Sequence, residues 1–215
     1  MDAWKSLFGA GSVIYRLVTN SLIIAVSSSA LAITIGSLAA YSLSRFEFKR
    51  LKNNYIAFWI LSNRMFPPVA LVIPFFLMFK FLNMLDTLPA VIVAHTAFSL
   101  PFVVWMMREF FLDMPKEIEE SAMIDGCSTF GVLRRVVLPL AAPSVAAVVV
   151  FCFIFSWNEL LFALFLTYNR AQTLPMLVAG DGDAVSTVAI IPPILFAVLV
   201  QKYIIRGLTL GAVKG

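Results

Sequence analysis

The chain alternates between long apolar runs and short polar breaks. Five runs stand out, at about residues 17–43, 55–82, 88–107, 140–166 and 185–205. A helix of about 20 apolar residues crosses the roughly 30 Å hydrocarbon layer of a bilayer, and each run reaches that length. The runs are continuous rather than alternating, so they predict helices and not barrel strands. The second is interrupted by Pro67-Pro68 and Pro74, which predicts a broken or kinked helix. The pattern therefore predicts an all-α polytopic membrane bundle of five spans, read as one transmembrane domain over residues 1–215.

One break differs from the others. Lys116-Glu117-Ile118-Glu119-Glu120-Ser121-Ala122-Met123-Ile124-Asp125-Gly126 lies between two apolar runs and is followed by Val136-Val137-Leu138-Pro139. Pro115 suits the start of a helix. The acidic residues after it sit well against the positive end of the helix dipole. Gly126 permits a positive φ and can end the helix. The segment reads as a short helix lying across the membrane surface with one face turned to a partner.

Composition agrees with the pattern. The chain is 61% hydrophobic, 13% charged and has a mean hydropathy of +0.94, where soluble domains are about 25% charged. The net charge of +4 does not point to nucleic acid, because the basic residues collect in particular loops. Arg45, Lys49, Arg50, Lys52, Arg108, Lys116, Arg134, Arg135, Lys202, Arg206 and Lys214 fall on one side of the predicted bundle. Lys5, Arg16 and Arg170 fall on the other. The positive-inside rule then places the 115–139 loop and the C-terminus in the cytoplasm and the N-terminus outside. Cys127 and Cys152 suggest neither a disulfide nor a metal site. The N-terminus lacks the layout of a cleavable signal peptide.

No catalytic constellation is evident, and no Gly-rich phosphate loop ends in Gly-Lys-Ser/Thr. If such a bundle moves a solute uphill, the energy must come from a partner or an ion gradient. Arg64 lies nine residues beyond Tyr55, about 14 Å into the layer at about 1.5 Å per residue. A charge there faces a protein interior or a watery cavity. With Pro67 beside it, Arg64 is a candidate for the transport pathway, or else a cap for carbonyls of the broken helix. Trp157, Asn158 and Glu159 combine a ring and polar groups that suit a sugar. They also suit interfacial anchoring and helix–helix contact. His95 reads as a packing histidine.

The long-range spacing carries a resemblance. Glu120-Ser121-Ala122, three residues, Gly126, nine residues and Val136-Val137-Leu138-Pro139 resemble the EAA loop of ABC importer permeases, with Ser121 in place of Ala and Val136 in place of Ile. Asn20-Ser21-Leu22, Ala40-Tyr41 with Arg45-Phe46, Arg64-Met65-Phe66-Pro67-Pro68, Leu100-Pro101-Phe102, Trp157-Asn158-Glu159 and the terminal Gly207 to Gly215 segment are similar to the maltose-type carbohydrate permeases. Those proteins usually have six core helices, and this chain starts where their second would.

The resemblance implies a permease subunit of a sugar importer in a bacterial or archaeal inner membrane. Its implied partners are a second permease, two ATPase subunits, an extracytoplasmic solute-binding protein and the sugar. ATP and Mg would be bound by the ATPase, and this chain would hold no cofactor or metal. The coupling residues implied are Glu119, Glu120, Ser121, Ala122, Asp125, Gly126, Leu138 and Pro139. The three carboxylates would accept hydrogen bonds from the ATPase, Ile118 and Met123 would add apolar contact, and Leu138-Pro139 would start the next span. The rival classes are an ion-driven transporter using Glu159 or His95, which should show paired discontinuous helices, and a non-transporting scaffold that recruits a soluble partner.

Overall fold

Small residues recur every four positions along the first span: Ser28, Ala32, Gly36, Ala40 and Ser44. Residues four apart share one face of a helix, and a stripe of small residues lets another backbone approach closely. The computed structural model, which describes residues 11–181 and 183–212 and side chains over 13–179 and 186–201, uses the stripe in that way. All five residues are buried. The first helix, α1 (Gly11–Arg45), packs along α4 (Leu88–Leu112) over most of its length. At Gly36 the approach is so close that an added Cβ would lie 2.6 Å from Val103 Cγ1.

Helices make up all the regular structure among the described residues. The second span is two helices, α2 (Asn53–Ser62) and α3 (Pro68–Phe81), joined through a tight turn at Asn63–Met65. The bend is 90°, as Pro67-Pro68 required. After α4 come the surface helix α5 (Lys116–Ile124) and the short α6 (Thr129–Val132), which runs into a wide π turn at Leu133–Val137. The fourth span is α7 (Ala142–Asn158), followed by α8 (Leu161–Leu166), α9 (Leu174–Asp181) and α10 (Asp183–Ala212). Val13–Arg45 and Leu88–Leu112 are long and apolar enough to cross a membrane unbroken. Asn53–Met65 with Pro68–Phe81 and Thr129–Leu140 with Ala142–Asn158 pass that test as bent pairs, and the predicted fifth span contains the shorter apolar helix Ser186–Gln201. Lys5, Lys214 and the last three residues of the terminal motif lie outside the described residues, as do the side chains of Lys202 and Arg206.

Two boundaries differ from the sequence expectation. The fourth run does not continue as one helix to residue 166, because the chain breaks at Glu159. That carboxylate accepts the N–H of Phe162 at 3.0 Å and of Ala163 at 3.4 Å, capping α8. Leu138-Pro139 does not run straight into the span either: an 81° bend separates Thr129–Leu140 from Ala142–Asn158, so the two form a bent pair.

The spans converge on two ends. One holds Arg45, Arg108 and the surface helix; we refer to it as the basic end. At the opposite end Asn83 and Asp86 take left-handed backbone conformations, φ 54° and 58°, as Asn and Asp tolerate. Asp86 turns its carboxylate onto the N–H groups of Tyr168, Asn169, Arg170 and Ala171, at 2.9–3.1 Å, and donates its own N–H to Leu166 O at 2.8 Å. Burial opposes the charge on Asp86. The N–H groups of Arg170, Asn169, Ala171 and Tyr168 outweigh it and hold the carboxyl below its ordinary range.

Two measurements follow. Gly36→Ala should lower the thermal unfolding midpoint in detergent, with a loss of about 1–3 kcal/mol from overpacking against Val103; an unchanged midpoint would mean that α1 and α4 tolerate wider spacing. The depressed pKa of Asp86 means that its stabilisation is complete above the unfolded carboxyl value of about 3.9 and is lost as pH falls through the lower folded value. An acid titration of stability should therefore show a fall in that window that is smaller in Asp86→Asn.

Candidate functional site

The surface helix α5 is nine residues long and follows Pro115. Glu117 and Glu119 occupy its first turn, where a carboxylate gains from the dipole. Its far end closes with a Schellman arrangement. Cys127 N–H donates to Ala122 O and Gly126 N–H to Met123 O, both at 3.0 Å, while Gly126 takes φ +88°. Glycine is the residue this position admits without strain. Ser128 then caps α6, accepting the N–H of Gly131 at 3.2 Å. The turn between the two short helices is thus hydrogen-bonded on both sides.

The helix has two chemically distinct faces. Toward the bundle, Ala122 packs on the cluster formed by Tyr41, Met107, Phe111, Val132 and Leu133. Glu119 is also on this side and is 3% exposed. Its Oε1 accepts from Arg45 Nε at 2.7 Å, with Arg45 Nη2 at 2.6 Å, and its Oε2 accepts the Tyr41 hydroxyl at 2.7 Å. Arg45 Nη2 also donates to Met114 O at 3.1 Å. The prediction that Glu119 offers its carboxylate to a partner is therefore corrected. Both oxygens are engaged inside the chain, and breaking one side of a buried ion pair costs about 3–5 kcal/mol.

Away from the bundle, Glu120, Ser121, Asp125 and Gly126 are exposed. Ser121 bonds back to Glu117 O at 2.8 Å. Exposed apolar residues stand among them: Ile118 41%, Met123 42%, Ile124 86% and, on α6, Phe130 61%. Sequence reading picked out Ile118 and Met123 but missed Ile124 and Phe130, the two most exposed. An apolar residue directly before the helix-ending Gly126 is the signal that could have identified Ile124. Leu138 is partly buried and Pro139 exposed, both on the segment before the bend.

The predicted pathway residues do not gather into one site. Arg64, in the turn between α2 and α3, lies over the rings of Phe98, Phe102 and Phe155, at 5.1, 5.2 and 4.6 Å, and donates to Phe98 O at 3.4 Å. Cation–π attraction of this kind shelters a charge from lipid. It bonds a neighbouring helix rather than the carbonyls of its own break. Pro67 is exposed. Trp157 is corrected from a sugar-facing or interfacial ring to a core pin. It is 1% exposed, it donates from Nε1 to Ala189 O at 2.9 Å, and it stacks on Phe153. Asn158 is exposed and bonds Ile154 O locally at 2.8 Å.

Glu159 meets His95 at 3.1 Å, and His95 Nδ1 meets Ser156 Oγ at 2.7 Å, so the histidine is buried with both ring nitrogens engaged. A cavity of about 30 Å³ lies against these three residues and Phe98, Phe155 and Phe162. That is space on the scale of one water molecule, too little for a sugar.

Comparison with known proteins adds a family match, two relatives and two solved structures. Residues 32–210 match the family model described as "Binding-protein-dependent transport system inner membrane component". The chain is 39% identical, over 91% of its length and 74% of the relative's, to the trehalose/maltose transport system permease protein MalG of Thermococcus litoralis. It is 34% identical to the trehalose transport system permease protein SugB of Mycobacterium tuberculosis, over 100% of this chain and 82% of that one. It superposes with a TM-score of 0.70 and 25% identity on a bacterial ABC transporter involved in import of the acidic polysaccharide alginate, covering 88% of this chain and 74% of that one. The MetNI methionine ABC transporter shares the fold, with a TM-score of 0.68 at 18% identity, over 89% and 93% of the two chains.

A β-branched residue cannot adopt the conformation of Gly126 without strain of about 1–2 kcal/mol. Gly126→Val should therefore loosen the junction between α5 and α6, read as faster proteolysis there while the unfolding midpoint of the bundle changes little. Equal resistance would show that the turn is not under that constraint.

Proposed function

From the premise that the chain belongs to the family of binding-protein-dependent transport system inner membrane components, we propose how its geometry serves transport. The protein is an integral inner-membrane permease subunit of an ATP-driven sugar importer. It performs no bond chemistry; a separate ATPase hydrolyses ATP. In general terms it works with a partner permease, the ATPase and a binding protein.

The finer assignment begins with α5. Its outer face carries Glu120, Asp125, Ile124 and Phe130 and docks in a cleft of the ATPase. Ser121 and Gly126 allow close approach on the same face. The observation that carries this reading is the division of α5 into an inner face anchored by Glu119 and Ala122 and an outer face of exposed apolar and acidic residues. Exposed apolar side chains rimmed by polar ones mark protein contact surfaces. The basic end then lies in the cytoplasm, in keeping with its Lys and Arg content. Two ATPase copies, each holding ATP and Mg, would serve this chain and the second permease. Their closure pushes the docked helices together and opens the pathway outward to receive sugar from the binding protein.

Leu138 and Pro139 extend the same lever up to the bend before α7. Pro67 and Asn158, still exposed, are left to meet the second permease or the substrate. The substrate class is a glycoside of the kind for which the relatives are named, trehalose or maltose among them.

Proteoliposomes holding the assembled importer test the reading. Uptake of labelled disaccharide should require internal ATP and be insensitive to an uncoupler, and Gly126→Val should abolish most of it. Uptake that survives without ATP and collapses with the uncoupler would overturn the assignment. In a Cys127→Ala, Cys152→Ala background, Asp125→Cys should react with an impermeant thiol reagent in inverted vesicles lacking the ATPase and not in intact cells.

A further inference from the structure

Of the two helices able to cross the membrane unbroken, α4 carries Pro101 and α1 has no proline. The other spans are bent pairs or, in α10, carry Pro192 and Pro193. Proline removes a ladder hydrogen bond and softens or kinks a helix, so α1 is the one of these two unbroken helices without that weak point.

It is also tied down at both ends by distant parts of the chain. At the basic end, Tyr41 and Arg45 hold Glu119 of α5 at 2.6–2.7 Å. At the opposite end, Asn20 Nδ2 donates to Arg170 O and Gln172 O, both at 2.9 Å, and Ser21 Oγ accepts the N–H of Leu174 at 2.8 Å. The loop it grips there is the one that Asp86 organises. Exposed Tyr168 projects from that loop. From Asn20 to Tyr41 the helix rises about 30 Å, close to the thickness of the hydrocarbon layer. Midway, Ser28 Oγ touches Ser156 Oγ at 3.0 Å, which links the rod to the His95–Glu159 cluster at the end of α7.

We infer that α1 is a rigid rod joining the ATPase-docking helix to the 168–174 loop, so that each end senses the state of the other. The inference rests on the reading of α5 as the ATPase contact. Its consequence is a residue role that the loop motif does not contain. Tyr41, Arg45 and Glu119 at one end, and Asn20 and Ser21 at the other, are positioning residues for signalling between the loaded binding protein and ATP hydrolysis. The physical warrant is an unbroken stiff element with both ends hydrogen-bonded, rather than proximity alone.

The test uses the assembled importer in lipid nanodiscs, measuring ATPase activity with and without sugar-loaded binding protein. Tyr41→Phe and Asn20→Leu each remove one anchor, at opposite ends of the rod. Each should reduce stimulation by the binding protein about fivefold or more, the lower end of ordinary coupling between sites, with basal hydrolysis within about twofold of the parent. The double variant should be no worse than the worse single variant, since both cut one connection. Thr19→Val, on the exposed side of α1, should leave stimulation intact. If Asn20→Leu does not assemble, Ser21→Ala removes the Leu174 contact alone and makes the same comparison. Undiminished stimulation in the single variants, multiplying losses in the double variant, or a parallel fall of basal and stimulated rates would each overturn the rod. A parent complex with no stimulation at all would instead refute the reading of the importer on which the rod rests.

Discussion

The close seating of α1 on α4 is the constraint from which the other geometry follows. In lipid the hydrophobic effect does little to hold helices together, so association rests on packing and on buried polar contacts. Ser28, Ala32, Gly36, Ala40 and Ser44 bring the two backbones near enough for Val103 to sit over Gly36. That contact sets the axial position of α1, and with it where Tyr41 and Arg45 emerge at one end and Asn20 and Ser21 at the other. Had the stripe been Leu, α1 would stand farther from α4, and the reach from Arg45 to Glu119 would change with it.

Polar and charged groups within the bundle are used where helices break. A break frees N–H and C=O groups that lipid cannot satisfy. Glu159 ends α7 and starts α8, capping the new helix with its carboxylate while holding His95. Arg64 sits in the turn between α2 and α3 with its guanidinium over three phenylalanine rings. Asp86 does comparable work at the membrane edge, gathering four successive N–H groups of the returning loop. These residues attract attention as chemistry when seen in sequence. In space each is engaged by neighbours within the chain, and the cavity beside Glu159 is on the scale of one water molecule.

The surface helix separates two tasks between adjacent carboxylates. Glu119 points inward and both its oxygens are engaged, so it ties α5 to α1. Glu120 points outward with the apolar Ile124 and nearby Phe130. Adjacent positions on a helix are about 100° apart, so neighbours in sequence can serve opposite faces. A buried ion pair such as Arg45–Glu119 is screened by salt much less than an exposed one.

Helical class, the broken second span and the surface helix with its glycine stop were legible from residues alone, because each is a local property. Apolar run length follows from bilayer thickness, proline restricts its own φ, and Gly126 marks a left-handed turn. The four-residue stride of small residues in α1 was equally open to reading, though the spans were first taken as apolar runs without it. Which of Glu119 and Glu120 faces the bundle was not legible, since both suit the start of a helix equally. Nor was the burial of Trp157 against Ala189, the clamp that Asp86 places on residues 168–171, or the exposure of Ile124 and Phe130. Those depend on contacts between residues from about 30 to more than 80 positions apart, and only the packing of one helix against another decides which groups meet.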